Sequence, residues 1–141
     1  MYIFSNPKID HEMKQFLQEN LTIEGTKLLP FVDFKTDGYM QIEGRIIPDD
    51  VVLFFKPLLD WCKKLASNKA VLDIKIEYLN TNALVHLYKM LEILELNCNL
   101  EEIIVNWYYE EEDEEYYDKG LYMAEKLKRI KFQFQSFIES D

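Results

Sequence analysis

The sequence predicts a mixed α/β domain: one β-sheet, part antiparallel and part parallel, with helices packed mainly on one face. Three observations carry that prediction. Residues 70–79, 102–109 and 131–135 alternate apolar with polar side chains, the period of a half-buried strand. The stretches between them place apolar residues at helical spacing. Ahead of them, Asp37-Gly38 sits between two short apolar-rich stretches, a strong hairpin signal. A hairpin is antiparallel, whereas successive strand–helix–strand units imply right-handed crossovers and parallel pairing.

In chain order, Ile9, Met13, Phe16 and Leu17 mark one face of a helix over residues 8–20, so residues 1–20 read as a helical extension and 21–141 as the main domain. Leu21–Thr26 is a strand ending at Gly25, residues 31–35 a second, and residues 39–43 a third, closed by Gly44. Asp49 and Asp50 supply cap and first-turn acids to a helix running from Val51 to Ala66, where Pro57 either kinks it or marks the first turn of its main part. In residues 70–79, Leu72, Ile74, Ile76 and Tyr78 share the buried face. A helix follows, with Leu84, Leu87, Tyr88, Leu91 and Leu94 on its apolar stripe, ending near Leu96-Asn97. Ile103, Val105, Trp107 and Tyr109 share one face of the next strand, with Tyr108 on the other, available to a partner. The last helix, Tyr116–Lys128, is expected to bury Tyr117, Leu121, Met123, Ala124 and Leu127, ahead of a closing strand over 131–135.

Composition narrows the function. The 141 residues suffice for one domain with a real core. A formal charge of −10 disfavours nucleic acid and anionic lipid surfaces and favours partners with basic patches. The N-terminus lacks the pattern of a secretory signal, and no apolar run approaches the roughly 18 residues that span a bilayer. Cys62 and Cys98 lie in apolar patterns without CxxC spacing, so both read as reduced core residues of a cytoplasmic protein.

The candidate working point is the junction Glu77-Tyr78-Leu79-Asn80-Thr81-Asn82-Ala83-Leu84, where a strand turns directly into a helix. The first N–H groups of such a helix lack intrahelical acceptors, and Thr or Asn there caps them. The same position favours negative charge. A phosphorylated Thr would add about −1.5 to −2 charges near neutral pH and alter the surface without refolding the domain. Taken alone, Thr or Asn at such a junction is most often simply a cap.

Other chemistry is weaker. The acidic run Glu110–Glu115 lacks the Gly and ligand spacing of a calcium loop and reads as a solvated helix entry. His11 and His86 have no ligand pattern around them, although His86 lies about a turn beyond Thr81 and borders the site. Apolar neighbours make Cys62 a poor nucleophile, and Gly25, Gly38 and Gly44 are too isolated for a phosphate-binding loop. No metal and no cofactor is expected.

A set of motifs occurs in fixed order: Leu21-Thr22-Ile23-Glu24-Gly25-Thr26-Lys27, Pro30, Ile42-Glu43-Gly44-Arg45, Pro48-Asp49, Phe55-Lys56-Pro57-Leu58-Leu59-Asp60-Trp61, Glu77-Tyr78-Leu79-Asn80-Thr81 and Val105-Asn106-Trp107-Tyr108-Tyr109. Together, over about residues 21–135, they resemble the SiaC family of bacterial regulatory phosphoproteins. The resemblance implies a fold similar to anti-sigma-factor antagonists (STAS-like) and a non-enzymatic partner-switching role. It implies phosphorylation of Thr81 by a Ser/Thr kinase of the histidine-kinase-like ATPase fold and dephosphorylation by a PP2C-type phosphatase. The unphosphorylated form would regulate an effector such as a diguanylate cyclase. Tyr78, Asn80, Asn82, His86, Arg45 and Asp49 would contact partners around the switch.

The chain departs from the family's usual pattern. Asn82-Ala83 stand where two serines commonly follow the Thr, His86 near the place of a Lys, Ile46 where Ser follows Gly-Arg, Asp49 for Glu, and Leu29 for Thr. Thr81 is therefore the sole hydroxyl at the junction. Two other readings stand beside the phospho-switched adaptor. One is an interaction module that ignores phosphorylation. The other is a small enzyme using acids of the 110–115 run or Asp49 and Asp50, for which no acid–base pair can be assembled.

Overall fold

A computed structural model describes residues 18–139. The expected helix over 8–20 falls almost wholly outside the described residues; Gln18–Asn20, at its end, are not helical. Six strands and three helices are described: β1 (Leu21–Ile23), β2 (Phe31–Phe34), β3 (Tyr39–Ile46), α1 (Val51–Lys64), β4 (Lys69–Leu79), α2 (Thr81–Leu96), β5 (Glu102–Glu110), α3 (Glu114–Lys126) and β6 (Ile130–Phe137). The sheet order is sequential, β1-β2-β3-β4-β5-β6. The first two pairings are antiparallel and the other three parallel, the mixed sheet expected from the hairpin and the crossovers.

The hairpin turns at Gly38, whose N–H donates to the Lys35 carbonyl at 2.9 Å. Gly38 has φ +97, and a β-carbon there would stand 1.8 Å from the Lys69 carbonyl oxygen. Only glycine fits. That close approach brings β4 beside the hairpin, where Val71 N–H donates to the Gly38 carbonyl at 2.8 Å.

All three helices cover one face of the sheet. Phe55, Leu58, Trp61 and Cys62 of α1, Leu87, Met90, Leu91 and Leu94 of α2, and Tyr116 and Met123 of α3 join a single core with Met40, Ile42, Leu72, Ile74, Val105 and Trp107. Each fully buried large side chain contributes about 1.5–3 kcal/mol. The opposite face carries a polar row in register, Asp33–Gln41–Asp73–Asn106–Gln133, with Asn106 Nδ2 donating to Asp73 Oδ1 at 2.7 Å. Among the described elements, nothing packs over it.

Several expectations change. Pro57 lies in the interior of α1, not its first turn, because Asp50 caps the helix seven residues earlier through Leu53 N–H at 3.0 Å. Cys98 is exposed rather than core, since it falls just beyond the end of α2; Cys62 is buried. In α3 the buried stripe is Tyr116, Gly120, Met123 and, just past its end, Leu127, while Tyr117, Leu121 and Ala124 flank it half-buried. The helix begins earlier than expected, with Asp113 as its cap, and its inward face is the one that sets Tyr116 and Gly120 against Trp107. Tyr78 does not continue the buried face of β4, for a reason that shapes the site.

Candidate functional site

Strand β3 does not end at Gly44. It continues to Ile46 through an irregularity at Gly44/Arg45, where Gly44 has φ +123. Gly44 pairs with Ile76, but Arg45 pairs with Tyr78, so Glu77 is an extra residue in β4. An extra residue reverses the alternation beyond it. Ile76 points into the core, Glu77 and Tyr78 both point out, and Leu79 returns to the core at 6% exposure. The Tyr78 ring, half exposed, faces Arg45, whose guanidinium lies 5.9 Å from the ring centroid.

The chain then enters α2. Asn80, in extended conformation, is the N-cap: its Oδ1 accepts from Ala83 N–H at 2.8 Å, and its carbonyl accepts from Leu84 N–H at 3.0 Å. Thr81 is therefore the first helical residue, not the cap. It is exposed, and among the described residues its hydroxyl makes no hydrogen bond. The neighbouring Asn does the capping that a Thr at a helix start commonly does.

Thr81 borders a cavity of about 360 Å³ between the end of β4 and the start of α3. Its other walls include Tyr78, Asn80, Glu77, Asp113, Glu115, Tyr116 and Lys119. Three carboxylates thus face one ammonium, Lys119, which pairs with Glu115 at 3.7 Å. Tyr116 forms the floor, stacked on Trp107 with ring centroids 4.6 Å apart. Burial pushes its phenol up from 10.0; the Ile76 backbone partly opposes that rise, and Asp113 adds to it. The hydroxyl lies beside that backbone without reaching full hydrogen-bond geometry.

Of the residues singled out in the sequence, Tyr78, Asn80 and Thr81 line this cavity, and Arg45 stands behind Tyr78. Asn82 is exposed on the first turn. His86 does not line the cavity: its ring packs against Phe55 of α1, centroids 5.6 Å apart, and Nδ1 donates to the Asn82 carbonyl at 2.9 Å. Asp49 is exposed in the loop before α1. Tyr108 is half-buried on the open sheet face. The acidic run is a strand end, a turn and a helix start. Asp113 caps α3 through Tyr116 N–H at 3.0 Å, and Glu110 accepts from Glu112 N–H at 2.9 Å. Among the described residues no cluster of three or more His, Cys, Asp or Glu could hold a metal ion.

Sequence reasoning missed Tyr116, Glu115 and Lys119 as neighbours of Thr81. The four-residue spacing of Glu115 and Lys119 signals a helical ion pair. Nothing in the sequence says that this pair lies beside α2.

Fold and site together define a small mixed α/β domain, one sheet backed by three described helices, with an exposed hydroxyl at a strand-to-helix junction. The model of the SiaC family of regulatory phosphoproteins matches residues 23–137, and the chain belongs to that family. SiaC of Pseudomonas aeruginosa has a similar structure: TM-score 0.74 at 20% identity, covering 85% of this chain and 100% of that one. SiaC of the same organism, solved as the activator in complex with the diguanylate cyclase SiaD, gives 0.73 at 21% identity, covering 83% of this chain and 99% of that one. No curated protein matches the chain. Among the described residues, no helix is long and apolar enough to cross a membrane.

Proposed function

We propose that the protein is a non-enzymatic, cytoplasmic adaptor switched by phosphorylation of Thr81. The observation that carries this reading is the uncommitted Thr81 hydroxyl: Asn80 caps α2, so modifying Thr81 breaks no hydrogen bond of the fold found among the described residues. A Ser/Thr kinase of the histidine-kinase-like ATPase fold would transfer the γ-phosphoryl group of ATP to Oγ1, releasing ADP and a proton. A PP2C-type phosphatase would return the hydroxyl by hydrolysis, releasing inorganic phosphate. The added charge falls beside Tyr78, Arg45, Asn80 and Asn82, proposed as the partner-facing rim, with His86 and Asp49 at its margin. The effector is proposed to be a diguanylate cyclase, by analogy with the P. aeruginosa complex.

Coexpression with a Ser/Thr kinase of the histidine-kinase-like ATPase fold and intact-mass measurement tests this. One phosphate, lost in Thr81→Ala, is expected. Effector binding by Thr81→Ala and Thr81→Asp should then differ at least tenfold. Equal binding by both would replace the switch with an interaction module indifferent to phosphorylation.

A further inference from the structure

Lys119 belongs to two surfaces at once. It lines the cavity at Thr81, and it lines an apolar groove of about 580 Å³ between α2 and α3, walled by Leu84, Val85, Tyr88, Tyr122 and Met123. Glu115 borders both as well. Their ion pair is lopsided: the lysine side chain is 33% exposed, the glutamate 85%. The lysine side chain is mostly covered, and the glutamate side chain stands mostly in water. Lys119 is the one cation among the residues lining the cavity.

We propose that Lys119 is the intramolecular reader of phosphothreonine at position 81, exchanging Glu115 for the phosphate and so rearranging the rim of the α2–α3 groove. The inference rests on Thr81 being the modified residue. A phosphate brings about −1.5 to −2 charges against the single charge of Glu115 and offers three strong acceptor oxygens. It also arrives beside Glu77, Asp113 and Glu115, with Lys119 the one cation among the residues lining the cavity. Glu115 loses little when released, because water already surrounds it. The exchange moves a cation and frees an anion at the groove, so a charge added at the start of α2 is felt on α3 one turn further on, at Met123.

The test encodes phosphothreonine at position 81 of the full chain directly and follows its second ionisation by phosphorus NMR. A nearby ammonium favours the dianion, so the midpoint in the otherwise wild-type chain should lie about half a pH unit below that of Lys119→Gln. Lys119→Arg should behave as wild type, and Glu115→Gln should titrate at or below it. The Met123 methyl resonance should move on phosphorylation in the wild type and stay put in Lys119→Gln. Identical midpoints in wild type and Lys119→Gln, or a raised midpoint in Glu115→Gln, would overturn the exchange. Because no kinase is used, a kinase that fails to modify Thr81 counts against the proposed function alone.

Discussion

The backbone of α3 at Gly120 lies directly on the indole of Trp107: a β-carbon at position 120 would stand 2.7 Å from Nε1. Trp107 is fully buried, so its indole has no room to retreat, and the half-buried Phe134 ring would be met at 2.9 Å. This contact sets how closely α3 approaches the sheet, and with it the distance from Lys119 to α2. Gly120→Ala should lower unfolding free energy by about 1–3 kcal/mol through overpacking, read from the urea midpoint. An unchanged midpoint would mean that α3 can slide without cost.

Asn97 ties two helix ends together. Its Nδ2 donates to the carbonyls of Cys62 and Leu65 at 3.0 and 2.9 Å, at the close of α1, while its Oδ1 accepts from Asn99 N–H at 2.9 Å. The side chain is buried. Asn97→Ala should cost about 1–3 kcal/mol by removing the side-chain donor to the Cys62 carbonyl and the acceptor of Asn99 N–H, while the Leu65 carbonyl keeps Asn99 Nδ2 at 3.2 Å. Asn97→Asp should cost more, since a carboxylate would face two carbonyl oxygens. Thermal melts of the two variants should fall in that order.

Asn80 and Thr81 should separate cleanly in stability. Asn80→Ala removes the cap and is expected to cost about 1 kcal/mol. Thr81→Ala removes a hydroxyl without a partner among the described residues and should stay within about 0.5 kcal/mol of wild type. Chemical denaturation of both variants decides this. A large loss in Thr81→Ala would show that its hydroxyl is structural.

The two thiols should react differently. Cys98 is exposed, and Cys62 is buried with its thiol pushed well above the ordinary 9.0 by desolvation. A thiol-specific disulfide reagent at pH 8 should titrate one thiol in the folded protein and two in denaturant. Rapid modification of both in the native state would contradict the burial of Cys62.

Alkaline pH should unfold the domain earlier than its acidic surface alone would suggest. Cys62 and Tyr116 both have ionisations raised by burial above their ordinary 9.0 and 10.0. Above those values the unfolded chain loses the two protons while the folded one keeps them, so stability declines as pH rises. The urea midpoint should be flat with respect to these groups below about pH 8 and fall from about pH 9 upward, in the window set by their model-peptide ionisations.

Much of this fold follows from local pattern. Alternation in residues 70–79 and 102–109, the Asp37-Gly38 turn and the apolar stripe of α2 each depend only on near neighbours in the chain, so the mixed sheet and the strand-to-helix junction at Asn80-Thr81 are legible before any contact is known. The sequence also singles out Thr81 as the one hydroxyl there. Tertiary structure decided the rest. The outward turn of Tyr78 depends on an extra residue in β4 relative to β3, and pairing between strands separated by a helix leaves no local trace. The exposure of Cys98 depends on where α2 stops against the core. The division of labour between Asn80 and Thr81 depends on which side chain reaches the Ala83 N–H. The neighbourhood of Thr81, with Lys119, Glu115 and Tyr116 brought from more than thirty residues away, exists only because α3 packs over Trp107, and a sequence read along its length does not carry that distance.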